Sequence, residues 1–316
     1  MPDIKPGDIV ARKSYGKDIF FKVKAITITD KGKSTALLRG LDVRLSADAP
    51  LEDLEVQPAE QVLRYRHRDI EKYRCCFQRV LARRAARLDV GLARAGSGGG
   101  YGYSLAGEDG GETEGGRDFF ELPGRVVHLD GDEEYLERCL HAYKQLRLPV
   151  AGFFVAEEEQ AEKVPHFLAQ YTPDILVLTG HDGLIREKKG FTNLDNYRHS
   201  KHFVAAVRAA RKLRPSHDDL VIFAGACQSH YEALLEAGAT FASSPGRILI
   251  HAFDPILVVE QVAYTSIREI VRPDEIIKDV VTGEGSIGGL EIRGKFRLGY
   301  PSSSYEELSN LTGKEG

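Results

Sequence analysis

Two residues of this chain have the chemistry of a nucleophile and its acid/base partner, and each stands at the end of an apolar run. Cys227 follows Leu220-Val-Ile-Phe-Ala-Gly-Ala, and His181 follows Ile175-Leu-Val-Leu-Thr-Gly. A thiolate attacks a peptide carbonyl well, and the departing amine then needs a proton. Histidine is the side chain whose ordinary pKa lets it carry that proton near neutrality. The two lie 46 positions apart, room for one crossover helix with its loops. Neighbouring parallel strands are therefore expected to present both at one carboxyl edge, where open α/β sheets place their sites. A helix expected to open at Ser229 puts Cys227 just before a helix amino terminus, whose partial positive charge lowers a thiol pKa. The backbone N–H of Cys227 and one near Gly183 are the expected donors to an oxyanion. Gly180, Gly183 and Gly225 permit close approach of backbone and substrate.

Each residue alone reads more simply, since a cysteine after an apolar strand is ordinarily a packing residue. The pair carries the reading. The alternative enzyme is a metal-dependent hydrolase built on His181, Asp182, His199, His202 and His251. His199 and His202 fall three apart on one expected helix, without the carboxylate–histidine pattern of a known metal type. Neither Cys-x-x-Cys nor His-Glu-x-x-His occurs, and no metal or cofactor is expected.

The elements that must hold the pair become legible after Pro123. Residues 119–300 read as a doubly wound α/β domain with a mostly parallel sheet. Strands at Arg125-Val-Val-His-Leu, Val150-Ala-Gly-Phe-Phe-Val, the two runs above, and near Thr240 and Ile248 alternate with helical stretches. Ahead of it, residues 1–56 show strand-length runs broken by turn chemistry, which predicts an SH3-like small β-barrel. Residues 57–95 predict one long linking helix with Leu63, Ile70, Phe77, Leu81 and Leu88 inward and a solvated, arginine-rich outer face. Residues 96–118 read as a glycine-rich flexible linker, with Arg94 and Arg117 at its ends as points of proteolytic nicking. Residues 301–316 read as a polar tail.

With 316 residues and 42% hydrophobic content the chain can build a real core. A net charge of −4 argues against a protein that coats nucleic acid. Four cysteines are too few for a disulfide framework. No stretch approaches the ~18 apolar residues of a membrane span, and no leader pattern opens the chain, so a cytoplasmic protein is expected.

The order of an apolar run ending His-x-Gly and an apolar run ending Ala-Cys is similar to the caspase, legumain and gingipain pattern. Asp182 departs from it, standing where those enzymes usually have glycine. Longer stretches narrow the likeness: Gly7-Asp-Ile-Val-Ala-Arg-Lys-Ser-Tyr-Gly, Gly40-Leu-Asp-Val-Arg-Leu-Ser-Ala-Asp-Ala-Pro, His128-Leu-Asp-Gly-Asp, Leu178-Thr-Gly-His-Asp-Gly, Phe223-Ala-Gly-Ala-Cys-Gln-Ser, Phe241-Ala-Ser-Ser-Pro and Gly294-Lys-Phe-Arg-Leu-Gly. On these the chain resembles the YabG sporulation-specific peptidases. The resemblance implies a cysteine peptidase, made in the mother cell of a sporulating bacterium, that trims spore coat and cortex-associated proteins. The family's histidine and cysteine map onto His181 and Cys227. It also implies cutting beside arginine, for which Asp182 and Asp254 are the candidate carboxylates and Arg94 and Arg117 the candidate self-cleavage points. The non-enzymatic alternative is a coat scaffold that binds through the small β domain and the basic helix.

Overall fold

The computed structural model describes residues 4–28, 34–96, 120–185 and 190–299, with side chains of the long helix described as far as residue 86. The first five strands are β1 (Ile9–Arg12), β2 (Phe20–Ile28), β3 (Ser34–Gly40), β4 (Ser46–Pro50) and β5 (Leu54–Val56). They form one antiparallel sheet in the order β4-β3-β2-β1-β5, closed over Val10, Phe21, Val23, Leu38 and Leu54. The strand-length runs of the sequence thus become strands. The sheet's edge strands are β4 and β5, and barrel closure between them is not among the strand pairings of the described residues.

Helix α1 (Ala59–Gly96) starts directly after Pro58, whose carbonyl accepts from Val62 N at 3.1 Å. Its packed stripe is Tyr73, Cys76, Phe77 and Val80. Of the residues expected inward, Phe77 is buried but Leu63, Ile70 and Leu81 are exposed, because at 3.6 residues per turn those three lie about 70–90° around the helix from the stripe's centre. Part of the basic face is docked and not solvated. Arg83 binds Glu260 at 2.9 Å and pairs with Asp279, while Arg84 donates to the Leu146 carbonyl at 3.0 Å and lies over the Tyr264 ring.

The rest of the chain alternates β6 (Phe120–Leu122), β7 (Val126–Asp130), α2 (Glu133–Gln145), β8 (Val150–Phe154), α3 (Gln160–Tyr171), β9 (Ile175–Thr179), α4 (Ser200–Leu213), β10 (Val221–Ala224), α5 (Tyr231–Glu236), β11 (Phe241–Ser243) and α6 (Asp254–Tyr264). It ends with β12 (Ile270–Val271), α7 (Pro273–Ile276), β13 (Ile287–Gly289), β14 (Ile292–Arg293) and β15 (Arg297–Gly299). The large sheet has the order β13-β11-β10-β9-β7-β8, parallel except for β13. Because successive strand residues face opposite ways, Val126, Ile175, Val177, Val221 and Phe223 pack with α1, α2 and α6, whereas Val127, Leu176, Leu178, Ile222 and Ala224 pack with α3, α4 and α5. That two-sided burial is the doubly wound α/β architecture expected.

Two expectations shift. The glycine-rich loop after Thr282 contributes the antiparallel edge strand β13. The strand expected near Ile248 does not join the large sheet; residues around His251 instead bridge to Val43, in the segment between β3 and β4. Among the described residues, no helix is long and apolar enough to cross a membrane.

Candidate active site

The register of β9 and β10 pairs Leu178 with Ala224. His181 and Cys227 each stand three residues beyond that pair, past the strand ends at the sheet's carboxyl edge, where Cys227 N and Asp182 N meet the same Arg44 carbonyl. Both side chains are fully buried. The turn that carries the thiol depends on Gly225 at φ 109° and is pinned by Ser229, whose hydroxyl accepts from Ala226 N and donates to Asp182 Oδ2, each at 2.9 Å.

The Cys227 thiol lies against the backbone of one residue, accepting from Ile250 N at 3.2 Å and donating to Ile250 O at 3.5 Å. Burial pushes its pKa well above the ordinary value, with the Ile250 N–H opposing. This corrects the sequence expectation of a lowered pKa. Helix α5 begins at Tyr231, not Ser229, so the thiol does not abut a helix terminus.

Among the described residues, neither ring nitrogen of His181 has a hydrogen-bond partner. Nδ1 is 3.8 Å from Asp132 Oδ2, and the ring meets Tyr135 edge-on at 5.0 Å. Burial lowers the imidazole pKa to about 3, Arg39 adding to the effect and Asp132 opposing it. The backbone of His181 is firmly held: its N–H donates to Glu157 Oε1 at 2.8 Å, and its carbonyl accepts from His199 Nδ1 at 2.6 Å.

A pH dependence follows. In the unfolded chain His181 takes its proton near 6.5, whereas in the folded protein it does so near 3. Between those values the unfolded state binds more protons, so acidification through this window removes stability. Thermal melts from pH 7 to 3.5 should fall more steeply for the parent than for His181→Asn; parallel curves would mean that the ring is charged or solvated.

The central finding is a carbonyl that sequence reasoning did not foresee. The oxygen of Arg44, in the segment joining β3 to β4, accepts from two backbone N–H groups at once: Cys227 at 3.1 Å and Asp182 at 3.2 Å. The first donor is the expected one. The second is Asp182 and not Gly183, whose own N–H is committed to Asp182 Oδ1 at 2.8 Å.

The Arg44 side chain is wholly buried beneath the same strand ends. Its Nη1 meets Asp130 Oδ2 at 2.8 Å, Nε donates to Ala252 O at 3.3 Å, and Nη2 lies 3.2 Å from Cys139 Sγ. Burial alone would raise the Asp130 carboxyl, but the Arg44 guanidinium and His128 hold it well below the usual range. On either side of Arg44 the backbone is bonded like a strand. Val43 bridges His251 in antiparallel fashion and Leu45 bridges Asp182 in parallel. Arg44 N donates to Ile250 O at 3.3 Å, Ala252 N to Asp42 O at 2.8 Å, and Ser46 N to Asp182 O at 3.0 Å.

Gly183 is required by this close approach, since a Cβ there would lie 2.5 Å from the Ser46 carbonyl oxygen. Gly183→Ala is expected to cost about 1–3 kcal/mol in chemical denaturation, the usual penalty of overpacking. An unchanged midpoint would show that the segment yields freely.

Of the other residues singled out by sequence, Asp182 accepts from Ser200 Oγ, Ser229 Oγ, His199 N and its neighbour Gly183 N. Asp254 accepts from His251 N, Val281 N and Thr282 N. Both carboxylates thus tie loops together, and among the described residues neither pairs with an arginine; at this edge Asp130 pairs with Arg44 at 2.8 Å and Asp132 with Arg39 at 2.7 Å. His199 and His251 have separate partners, His251 Nε2 meeting Asp69 Oδ1 at 2.7 Å. Among the described residues, no group of three or more His, Cys, Asp and Glu side chains is arranged to hold a metal ion. The Arg94 side chain and Arg117 lie outside the described residues. Arg44 and Asp130 announced themselves in the sequence only by falling within two of the stretches that carry the family resemblance.

The chain is similar to the Sporulation-specific protease YabG of Bacillus subtilis (strain 168), with 42% identity over 299 residues that cover 94% of this chain and 98% of that protein. No solved structure matches it. The family match runs over residues 5–301 and so takes in the N-terminal sheet, both strand ends and the Arg44 segment between them. The chain belongs to the YabG peptidase U57 family, whose members hydrolyse peptide bonds.

Proposed function

We propose that this protein is a cysteine endopeptidase of sporulation, with Cys227 as nucleophile and His181 as acid/base, cutting beside arginine. Its substrates on this reading are spore coat and cortex-associated proteins, and its place is the mother-cell cytoplasm and the forming coat. One observation carries the proposal: the N–H groups of Cys227 and Asp182 converge on a single carbonyl oxygen at 3.1 and 3.2 Å, which is the geometry that stabilises the oxyanion of an acyl-transfer intermediate.

Burial supports a particular course for the reaction. A thiol pushed up and an imidazole pulled down to about 3 rest as a neutral pair. The thiol proton moves to His181 as sulfur attacks the carbonyl, and the charge that develops on oxygen is met by two fixed donors. The imidazolium then gives its proton to the leaving amine. Asp132, 3.8 Å from Nδ1, is placed to favour the charged ring at that stage and acts as a positioning residue. The histidine and cysteine at successive strand ends support a caspase-like arrangement for residues 119–300. The strand order at the N-terminus supports an SH3-like assignment for residues 1–56.

The test is incubation of the purified protein, Cys227→Ala and His181→Ala with spore coat extract, with and without chelator, read by gel and mass spectrometry. Fragments are expected from the parent alone, in both conditions. Cutting by Cys227→Ala that chelator abolishes would transfer the activity to a metal site. Coat processing unchanged by Cys227→Ser would leave a scaffold role.

A further inference from the structure

We propose that residues 42–46 are the site's own bound substrate: Asp130 is the carboxylate of an arginine-binding pocket, and the Arg44–Leu45 peptide is the bond it presents for cleavage. The inference rests on the Cys227–His181 reading above.

The segment makes the contacts that a bound peptide must make. A protease holds its substrate as an added strand, its side-chain pocket supplies specificity, and two donors hold the scissile carbonyl. Here Val43 and Asp42 pair with His251 and Ala252, and Arg44 N donates to Ile250 O, before the chosen carbonyl. Beyond it, Ser46 N donates to Asp182 O. The carbonyl held by Cys227 N and Asp182 N is that of the arginine whose guanidinium reaches Asp130. A structural buried arginine needs a carboxylate and carbonyls; it does not need its own carbonyl directed at the backbone of the nucleophile. At Arg44 the chain also turns sharply, Leu45 N reaching Val43 O at 2.7 Å, so the carbonyl held by Cys227 N and Asp182 N stands at the bend.

The imidazole supplies the second observation. Among the described residues, both nitrogens of His181 are buried and without a hydrogen-bond partner; this costs the folded state free energy and leaves the ring uncommitted to any structural bond, as a proton carrier must be. The step balances without a further reagent. Cys227 sulfur bonds to the Arg44 carbonyl carbon, the Arg44–Leu45 C–N bond breaks, and the thiol proton passes through His181 to the Leu45 amine. Water then adds its hydroxyl to the Arg44 acyl carbon and returns a proton to the sulfur, leaving an Arg44 carboxylate and a free Leu45 amine. Until that bond is cut the segment fills the cleft and excludes other chains. The self-cleavage point is thereby placed at Arg44, ahead of Arg94 and Arg117.

The test uses the full chain. The purified parent and Cys227→Ala are followed by intact mass and N-terminal sequencing, alongside hydrolysis of a fluorogenic arginyl peptide and of its neutral citrullyl counterpart. The expected result is a new N-terminus at Leu45 in the parent, none in Cys227→Ala, and arginyl hydrolysis that appears with the cut. The parent should favour the arginyl over the citrullyl peptide by about 100-fold or more in kcat/KM, and Asp130→Asn should remove most of that preference, as loss of a buried ion pair requires. If Asp130→Asn does not fold, the parent's arginyl-to-citrullyl ratio still decides. A parent that hydrolyses the arginyl peptide through Cys227 while Arg44–Leu45 stays intact overturns the inference and leaves the dyad standing. Arginyl hydrolysis that Cys227→Ala retains overturns the dyad, and the inference with it.

Discussion

Cys227→Ala is expected to lower hydrolysis of a protein substrate by about 10⁴-fold or more, and His181→Ala by a similar factor. The double variant should be no worse than either single one, because a nucleophile and its proton carrier act as a unit. Effects that multiply would instead mark two independent contributions. The folded protein should hardly notice the loss of the thiol, whose hydrogen bonds are with the backbone of one residue, Ile250. A Cys227→Ala protein with normal melting and a tenth of the parent's activity would remove the thiol from the chemistry.

The second large effect concerns stability. Asp130→Ala leaves the wholly buried Arg44 guanidinium with two carbonyls, at 3.3 and 3.4 Å, and a sulfur at 3.2 Å but no anion. Removing one partner of a buried pair typically costs about 3–5 kcal/mol. Urea denaturation should show that loss, and Arg44→Met combined with Asp130→Ala should recover much of it, since neither charge is then stranded. A single-variant loss below about 1 kcal/mol would mean that water reaches the pair. The two predictions are separable: one removes turnover from an intact fold, the other weakens the fold around an intact thiol.

The parts of the molecule that repeat with a period were legible in the sequence. Strand length, glycine breaks and helical spacing led to β9 and β10, to His181 and Cys227 at their ends, and to a mostly parallel sheet. The parts that depend on one residue meeting another far away were not. Asp182, not Gly183, donates to the Arg44 carbonyl because the chain after β9 turns to pair with Leu45 and Ser46, and no local pattern encodes that direction. Asp182 and Asp254 looked like pocket carboxylates by proximity in sequence. Their oxygens are taken up by loop N–H and hydroxyl groups, while the carboxylate that pairs with the buried Arg44 is Asp130, an aspartate at a strand end that composition does not distinguish. Likewise the inward stripe of α1 follows its docking on α6, leaving Leu63, Ile70 and Leu81 outside although their spacing is regular.

The contact between Arg44 and Ala252 spans 208 positions of chain, and this has a consequence for the order of events on the ribosome. Closing so long a loop is slow relative to local folding. During synthesis Arg44 emerges first, Asp130 and His181 later, and Cys227 with the Ile250 backbone after that. The N-terminal sheet can therefore form while its arginine-bearing segment is still without a cleft to enter. The reactive arrangement is completed only when most of the polypeptide has been made, which gives the nascent chain a built-in delay.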